Sequence, residues 1–178
     1  MRNCIKIIGV GILLVVAGCK HKTLQQRFAG FINDPANKIT QKITVGNITA
    51  TIKWMPAGYR RMIDSLTGEN DEYDYFNVKF DKTGEDKPSR EKKMYLDFDM
   101  QKDFSLVIGK DSILPAICQR IQNGLSGSYE YMLAFEKQKK NDVENFTVVY
   151  KDEIFGIGIL AFLYKQEDIK KIPTLAAK

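Results

Sequence analysis

The sequence predicts an all-β fold, an antiparallel β-sandwich of about eight short strands behind a short N-terminal helix, with an open barrel as the second architecture. Three observations predict it. Ile39 to Met55, Tyr73 to Phe80 and Tyr129 to Phe135 alternate apolar with polar residues at period two. Glycine-containing turns and charged loops punctuate the chain at short intervals, as at Gly46-Asn47, Gly109 and Gly124 to Gly127. Ile157 to Tyr164 is almost continuously apolar and reads as a central strand covered on both faces.

The chain opens on Met1, Arg2 and Lys6, followed by the apolar run Ile7 to Val16 and then Ala17-Gly18-Cys19. The run is too short to span a bilayer as a helix, and a basic head, an apolar core and small exit residues make a secretory signal. This order resembles the bacterial lipoprotein signal, the lipobox. The resemblance implies removal of residues 1–18 as signal peptide and acyl chains on Cys19. Residues 19–37 are then the lipidated cysteine and tether, and 38–178 the β-sandwich domain. What remains, 160 of 178 residues, suits one domain. Losing Arg2 and Lys6 lowers the formal charge from +5 to +3. An excess that small fits attraction to anionic headgroups or polymers rather than nucleic acid. The nearest thing to a patch, Lys137, Lys139 and Lys140, lies among Glu136, Asp142 and Glu144 and reads as a solvated loop.

In the tether, Thr23 and Gln26 can form a capping box, and Leu24, Phe28 and Phe31 follow at i, i+4 and i+7 before Asn33-Asp34-Pro35 breaks the helix. Its apolar face can dock on the domain or lie in the headgroup region, with docking preferred. If flexible instead, the tether would hold the domain about 20–25 Å from the lipid. Ile39 to Met55 is a hairpin. Gly46 first in a two-residue loop suits a type II′ turn, and the register pairs Val45 with Ile48, Ile43 with Ala50, Gln41 with Ile52 and Ile39 with Trp54. The opposite face carries Thr40, Lys42 and Thr44 across from Thr49, Thr51 and Lys53.

Further on, Tyr59 to Leu66 is read as a helical turn or two. Tyr73 to Phe80 buries Phe76, Val78 and Phe80, and Asp81 to Lys93 is expected to be a charged loop. Met94, Leu96, Phe98 and Met100 are taken as the inward face of the next strand. A turn at Gln101-Lys102-Asp103 and a short strand from Phe104 to Ile108 follow. Asp111 to Asn123 admits either a helix or an extended segment, with extended preferred. Tyr129, Tyr131, Leu133 and Phe135 face inward, and Phe146 to Tyr150 is another strand.

Chemistry is bounded by composition. The single histidine, His21, stands two residues from Cys19, so Ser-His-Asp and Cys-His machinery lacks its base and histidine metal sites lack ligands. With Cys4 removed and Cys19 acylated, Cys118 is left unpaired, and its apolar surroundings from Ile113 to Ile117 favour burial. Asp97 and Asp99 would share one face of a strand, about 6.5–7 Å apart, which overlaps the spacing of inverting glycosidases; a solvated outer face is preferred. Glu69, Asp71, Glu72 and Asp74 lack the order of a calcium loop. Phe155-Gly156-Ile157-Gly158 lacks the third glycine and helix start of a phosphate loop, and a bulge or close backbone approach explains it better. Trp54, Tyr129, Tyr131, Tyr150 and Tyr164 are read as core rather than as a ligand platform.

The second half, from Asp111 through Tyr129 to Phe135 and on to Val148-Val149-Tyr150-Lys151-Asp152-Glu153-Ile154-Phe155-Gly156-Ile157-Gly158, resembles small outer-membrane lipoproteins of Bacteroidota of uncharacterised activity. The resemblance implies an outer-membrane lipoprotein and brings no catalytic residues or cofactor. Lys20 differs from the aspartate associated with inner-membrane retention, and the acidic export cluster of surface lipoproteins is missing, so a periplasm-facing anchor is expected. The expected function is a non-enzymatic interaction or structural module with an envelope protein or polymer as partner. A carrier for a lipid or other apolar ligand, and a glycan-active enzyme using Asp97 or Asp99, are the alternatives.

Overall fold

The computed structural model describes residues 23–56, 59–60, 72–84, 87–138 and 145–172. The signal, Cys19, His21, Glu69, Asp71, Lys139, Lys140 and most of the helical turn expected after Pro56 lie outside them; Tyr59 and Arg60 are helical. Among the described residues nine strands form two antiparallel sheets. In chain order they are β1 (Thr40–Val45), β2 (Ile48–Met55), β3 (Tyr73–Lys82), β4 (Phe104–Ile108), β5 (Asp111–Ile113), β6 (Ile117–Ile121), β7 (Ser128–Glu136), β8 (Phe146–Lys151) and β9 (Ile159–Tyr164). One sheet has the order β1-β2-β3-β7-β6 and the other β5-β4-β8-β9. This is the sandwich that the alternation predicts.

The hairpin register is the predicted one. Val45 pairs with Ile48, Ile43 with Ala50 and Gln41 with Ile52, and the Trp54 amide donates to the Ile39 carbonyl at 3.1 Å. Gly46 is left-handed at φ 57° while Asn47 is not, which is the signature of a type II′ turn. Ile48, Ala50, Ile52 and Trp54 are buried, but Val45, at the open end of the edge strand, is exposed. β3 and β7 follow the same rule, with Phe76, Val78 and Phe80 opposite Leu133, Tyr131 and Tyr129 and all six buried. Asp111 to Asn123 is extended, as β5 and β6.

The core is aromatic and joins the two sheets. Trp54 meets Phe146 edge-on at 5.6 Å, Phe76 meets Tyr164 at 5.7 Å, and Phe80 lies 4.7 Å from Tyr150. Such pairs add about 0.5–1.5 kcal/mol each beyond their buried area. The Tyr131 hydroxyl donates to the Leu96 carbonyl and that of Tyr164 to the Ile39 carbonyl, so their polar ends are satisfied inside the fold. Helix α1 (Leu24–Asn33) starts in the predicted capping box, with the Gln26 amide donating to Thr23 Oγ1 at 3.2 Å and the Thr23 amide to Gln26 Oε1 at 3.0 Å. It docks on the sandwich through Phe28 and Ile32, both buried in the same core.

Two expectations are corrected. The segment with Met94, Leu96, Phe98 and Met100 is not a strand but helix α2 (Arg90–Phe98), followed by a 3-10 turn at Met100–Asp103. Ser89 Oγ caps it, accepting from the Lys92 amide at 3.2 Å, and the charged loop is correspondingly shorter, since Asp81 and Lys82 also belong to β3. Only Leu96 and Met100 are buried, whereas Phe98 is 80% exposed. Residues four apart share a helix face and also fit an alternating pattern, so this pair satisfied both periods, and the helix-forming run Arg-Glu-Lys-Lys-Met decided. The second correction is β9. It is an edge strand, buried on one face through Leu160, Phe162 and Tyr164 and open on the other, with Ile159 69% exposed. Part of its edge is covered from the neighbouring sheet, because Gln41 Nε2 donates to the Leu163 carbonyl at 2.9 Å.

Candidate functional site

A cleft of about 720 Å³ opens on the outer face of the β1-β2 hairpin where α1 hands over to β1. The period of two puts Thr40, Lys42, Thr51 and Lys53 on that face, and the register sets Thr40 opposite Lys53 and Lys42 opposite Thr51. Lys42 and Lys53 are therefore diagonal neighbours, on the order of 7–8 Å apart along the backbone. Asn33, Pro35, Lys38 and Gln41 form the remaining wall. That wall is held by short bonds: Thr40 Oγ1 donates to the Ile32 carbonyl at 2.8 Å, Asn37 Nδ2 to the Phe31 carbonyl at 3.0 Å, and the Ala36 amide to Asp34 Oδ1 at 3.0 Å.

Among the described residues, three lysines and no carboxylate line this cleft. The Lys38 ammonium lies 4.0 Å from Asp168 Oδ2 while Lys171 holds Oδ1 at 2.8 Å, and Lys171 first, with Lys38, keeps that carboxyl below the usual carboxylate range. Backbone neighbours at that spacing lie within about one Debye length (about 8 Å at physiological salt), so an anion on this face can be attracted by both Lys42 and Lys53. Lys38 also adopts the left-handed conformation, φ 56°, the one non-glycine residue to do so among the described residues. Glycine would take it without the penalty of about 1–2 kcal/mol that an L side chain carries there. Lys38 takes it as the cap of the 3-10 turn Pro35–Asn37, where its amide donates to the Pro35 carbonyl at 3.2 Å.

The sequence-predicted candidates are not brought together. Asp97, near the end of α2, pairs with Arg120 of β6, and Asp99 caps the helix C-terminus with its carboxylate 3.5 Å from Lys102. On a helix end they do not form the strand-borne carboxylate pair considered from the sequence; each is instead neutralised by its own cation. Cys118 is partly buried, and desolvation pushes its thiol up to about 12, which leaves on the order of one thiolate in 10⁵ at pH 7. Among the described residues no group of three or more His, Cys, Asp or Glu is placed to hold a metal ion.

The Phe-Gly-x-Gly segment closes on its own carboxylate. Asp152 Oδ1 accepts from the Ile154 and Phe155 amides at 2.9 and 2.8 Å and from the Tyr150 hydroxyl at 2.8 Å, while Oδ2 accepts from the Ile157 amide at 2.6 Å. Gly156 and Gly158, at φ 76° and 75°, allow the turns that aim those amides inward. The donors a phosphate would need are thus occupied by the chain itself. Sequence reasoning placed the outer-face lysines correctly but missed the cleft, since Lys38 and Asn33 join them only through the docking of α1.

The sequence matches no protein-family model, and no curated protein or solved structure matches it.

Proposed function

We propose that this chain is a lipid-anchored outer-membrane protein, facing the periplasm from acyl chains on Cys19, that acts as a non-enzymatic interaction module and holds an anionic envelope polymer in the Lys38, Lys42 and Lys53 cleft. The observation that carries the reading is that cleft: three ammonium groups with a hydroxyl donor from Thr51 and an amide donor from Asn33, and no lining acid among the described residues. Lysines offer point charges and hydroxyls offer short hydrogen bonds, which suits repeated phosphate or carboxylate groups on a flexible chain. The capping box starts α1 four residues after Cys19, so the anchor presents the folded body close to the membrane surface.

Anchoring is tested by Cys19→Ser, which is expected to move the protein from the membrane fraction to the soluble periplasm; unchanged membrane retention would sink the lipid assignment. Binding is tested with the lipidated protein in detergent, using polyphosphate and polygalacturonate as probes and neutral dextran as control. Both polyanions are expected to bind in a salt-sensitive manner. Lys42→Gln combined with Lys53→Gln is expected to weaken them about tenfold with an unchanged melting temperature, since exposed ion pairs contribute about 0.2–1 kcal/mol each. Equal affinity in the double variant, or equal retention of dextran, contradicts the polymer reading. So does binding to anionic vesicles with none to either polyanion.

A further inference from the structure

Among the described residues the sandwich has four edge strands, β1 and β6 in one sheet and β5 and β9 in the other. Three of them carry a charge of the kind that keeps an edge from adding a further strand: Lys42 in β1, Arg120 in β6 and Asp111 in β5, which is also only three residues long. β9 carries none. Ile159-Leu160-Ala161-Phe162-Leu163-Tyr164 has neither charge nor proline, and it pairs with β8 without a bulge, from Lys151 opposite Ile159 to Phe146 opposite Tyr164.

The parity of that pairing fixes what the free edge offers. The Asp152 amide donates to the Gly158 carbonyl at 3.0 Å, and bonded pairs alternate along an antiparallel ladder, so Leu160, Phe162 and Tyr164 turn their main-chain groups to β8. Ile159, Ala161 and Leu163 turn theirs outward, as the bond from Gln41 Nε2 to the Leu163 carbonyl shows. The side chains of the same three residues stand on the open face, Ile159 69% and Leu163 45% exposed. A row of main-chain donors and acceptors beside an apolar row is what a further β-strand binds.

The order Ile-Ala-Leu selects which strand. Placed antiparallel about a twofold axis at Ala161, two copies set Ile159 opposite Leu163 and Ala161 opposite itself, so the outward groups are mutually paired and each isoleucine meets a leucine. The Leu163 carbonyl keeps its bond from Gln41 and has a second lone pair for the Ile159 amide of the other copy. We propose that β9 is a self-association edge, through which a second copy of this chain joins two four-stranded sheets into one continuous sheet. The axis is perpendicular to that sheet, so both lysine clefts open on the same side of the pair, and Gln41, which lines the cleft, also touches the seam. The pairing itself does not depend on what the clefts hold.

The test is oxidative cross-linking of the full-length lipidated protein in native membranes. Ala161→Cys is expected to give a disulfide-linked dimer of twice the chain mass, because opposite residues of a bonded antiparallel pair have Cα atoms about 5.5 Å apart, inside the roughly 4.4–6.8 Å that a disulfide spans. Ser112→Cys, exposed on β5 at the opposite edge of the same sheet, is expected to give at least about tenfold less. Adding Ile159→Lys and Leu163→Lys to Ala161→Cys sets ammonium groups opposite one another and is expected to lower the yield about tenfold or more. Independently of any variant, sedimentation equilibrium in density-matched detergent is expected to show the parent chain passing from one copy to two as its concentration rises. A linked product of any other mass, equal yields from Ala161→Cys and Ser112→Cys, a yield unmoved by the two lysines, or a parent chain that stays single at every concentration overturns the proposal.

Discussion

Phe76→Ala is expected to destabilise the protein by about 3–5 kcal/mol, the range for truncating a fully buried phenylalanine. Phe76 is completely buried and makes edge-on contacts with Phe135 at 5.7 Å in its own sheet and with Phe146 at 6.0 Å and Tyr164 at 5.7 Å in the other. Its removal opens a cavity against rings from both sheets, which cannot collapse onto it without separating from other partners. Domains have only about 5–15 kcal/mol of stability, so the loss takes a large share. Urea unfolding followed by tryptophan fluorescence measures it, and Trp54 reports directly because it contacts Phe146 and Tyr164. Thr44→Ala, on the outer face, is expected to change stability by less than about 0.5 kcal/mol. Equal midpoints for the two variants would mean that the sheets do not share one core.

Asp152→Ala is expected to cost about 3 kcal/mol, because it strands three loop amides and the buried Tyr150 hydroxyl at once. The same contacts make stability depend on pH. Burial pushes the Asp152 carboxyl up, but the Phe155, Ile157 and Ile154 amides and the Tyr150 hydroxyl together outweigh it and hold it below 3.8. A carboxyl that is more acidic when folded stabilises the fold fully above its unfolded value of about 3.9, and that stabilisation drains away as pH falls through the folded value. Asp103 works in the opposite direction, since its folded carboxyl is raised and protonation relieves its burial. Thermal melts of the parent chain from neutral pH into the acid range are therefore expected to show a loss below about pH 4 that is smaller in Asp152→Ala. An identical acid profile in both proteins would show that the loop is not held by the carboxylate.

Legibility followed the range of the interaction. The hairpin was readable to the residue because its register depends on neighbours: alternation from Ile39 to Trp54 selects the faces, and Gly46 selects the turn. The same holds for Phe76, Val78 and Phe80 and for the capping box at Thr23. Helix α2 was misread because Leu96 and Met100 fit both periods, and burial of two residues rather than four is a tertiary fact. β9 was misplaced because continuous hydrophobicity states that a strand is apolar and not where in the sheet it stands. The lysine cleft was half readable, as an outer face but not as an enclosed site. The bond from the Tyr95 hydroxyl to Asp103 was not readable at all, since a helix and the turn after it bring the two together.

By itself the sequence determined the β class, the hairpin register, the inward aromatic faces and the shortage of histidine and cysteine, all of which depend on local periodicity or on composition. Tertiary structure alone decided that β9 lies at an edge, that Asp97 and Asp99 serve separate ion pairs, and that Asp103 is buried against the Tyr95 hydroxyl. The physical reason is that burial and pairing are relations between segments far apart in the chain, and a side chain's environment is set by which segments meet it.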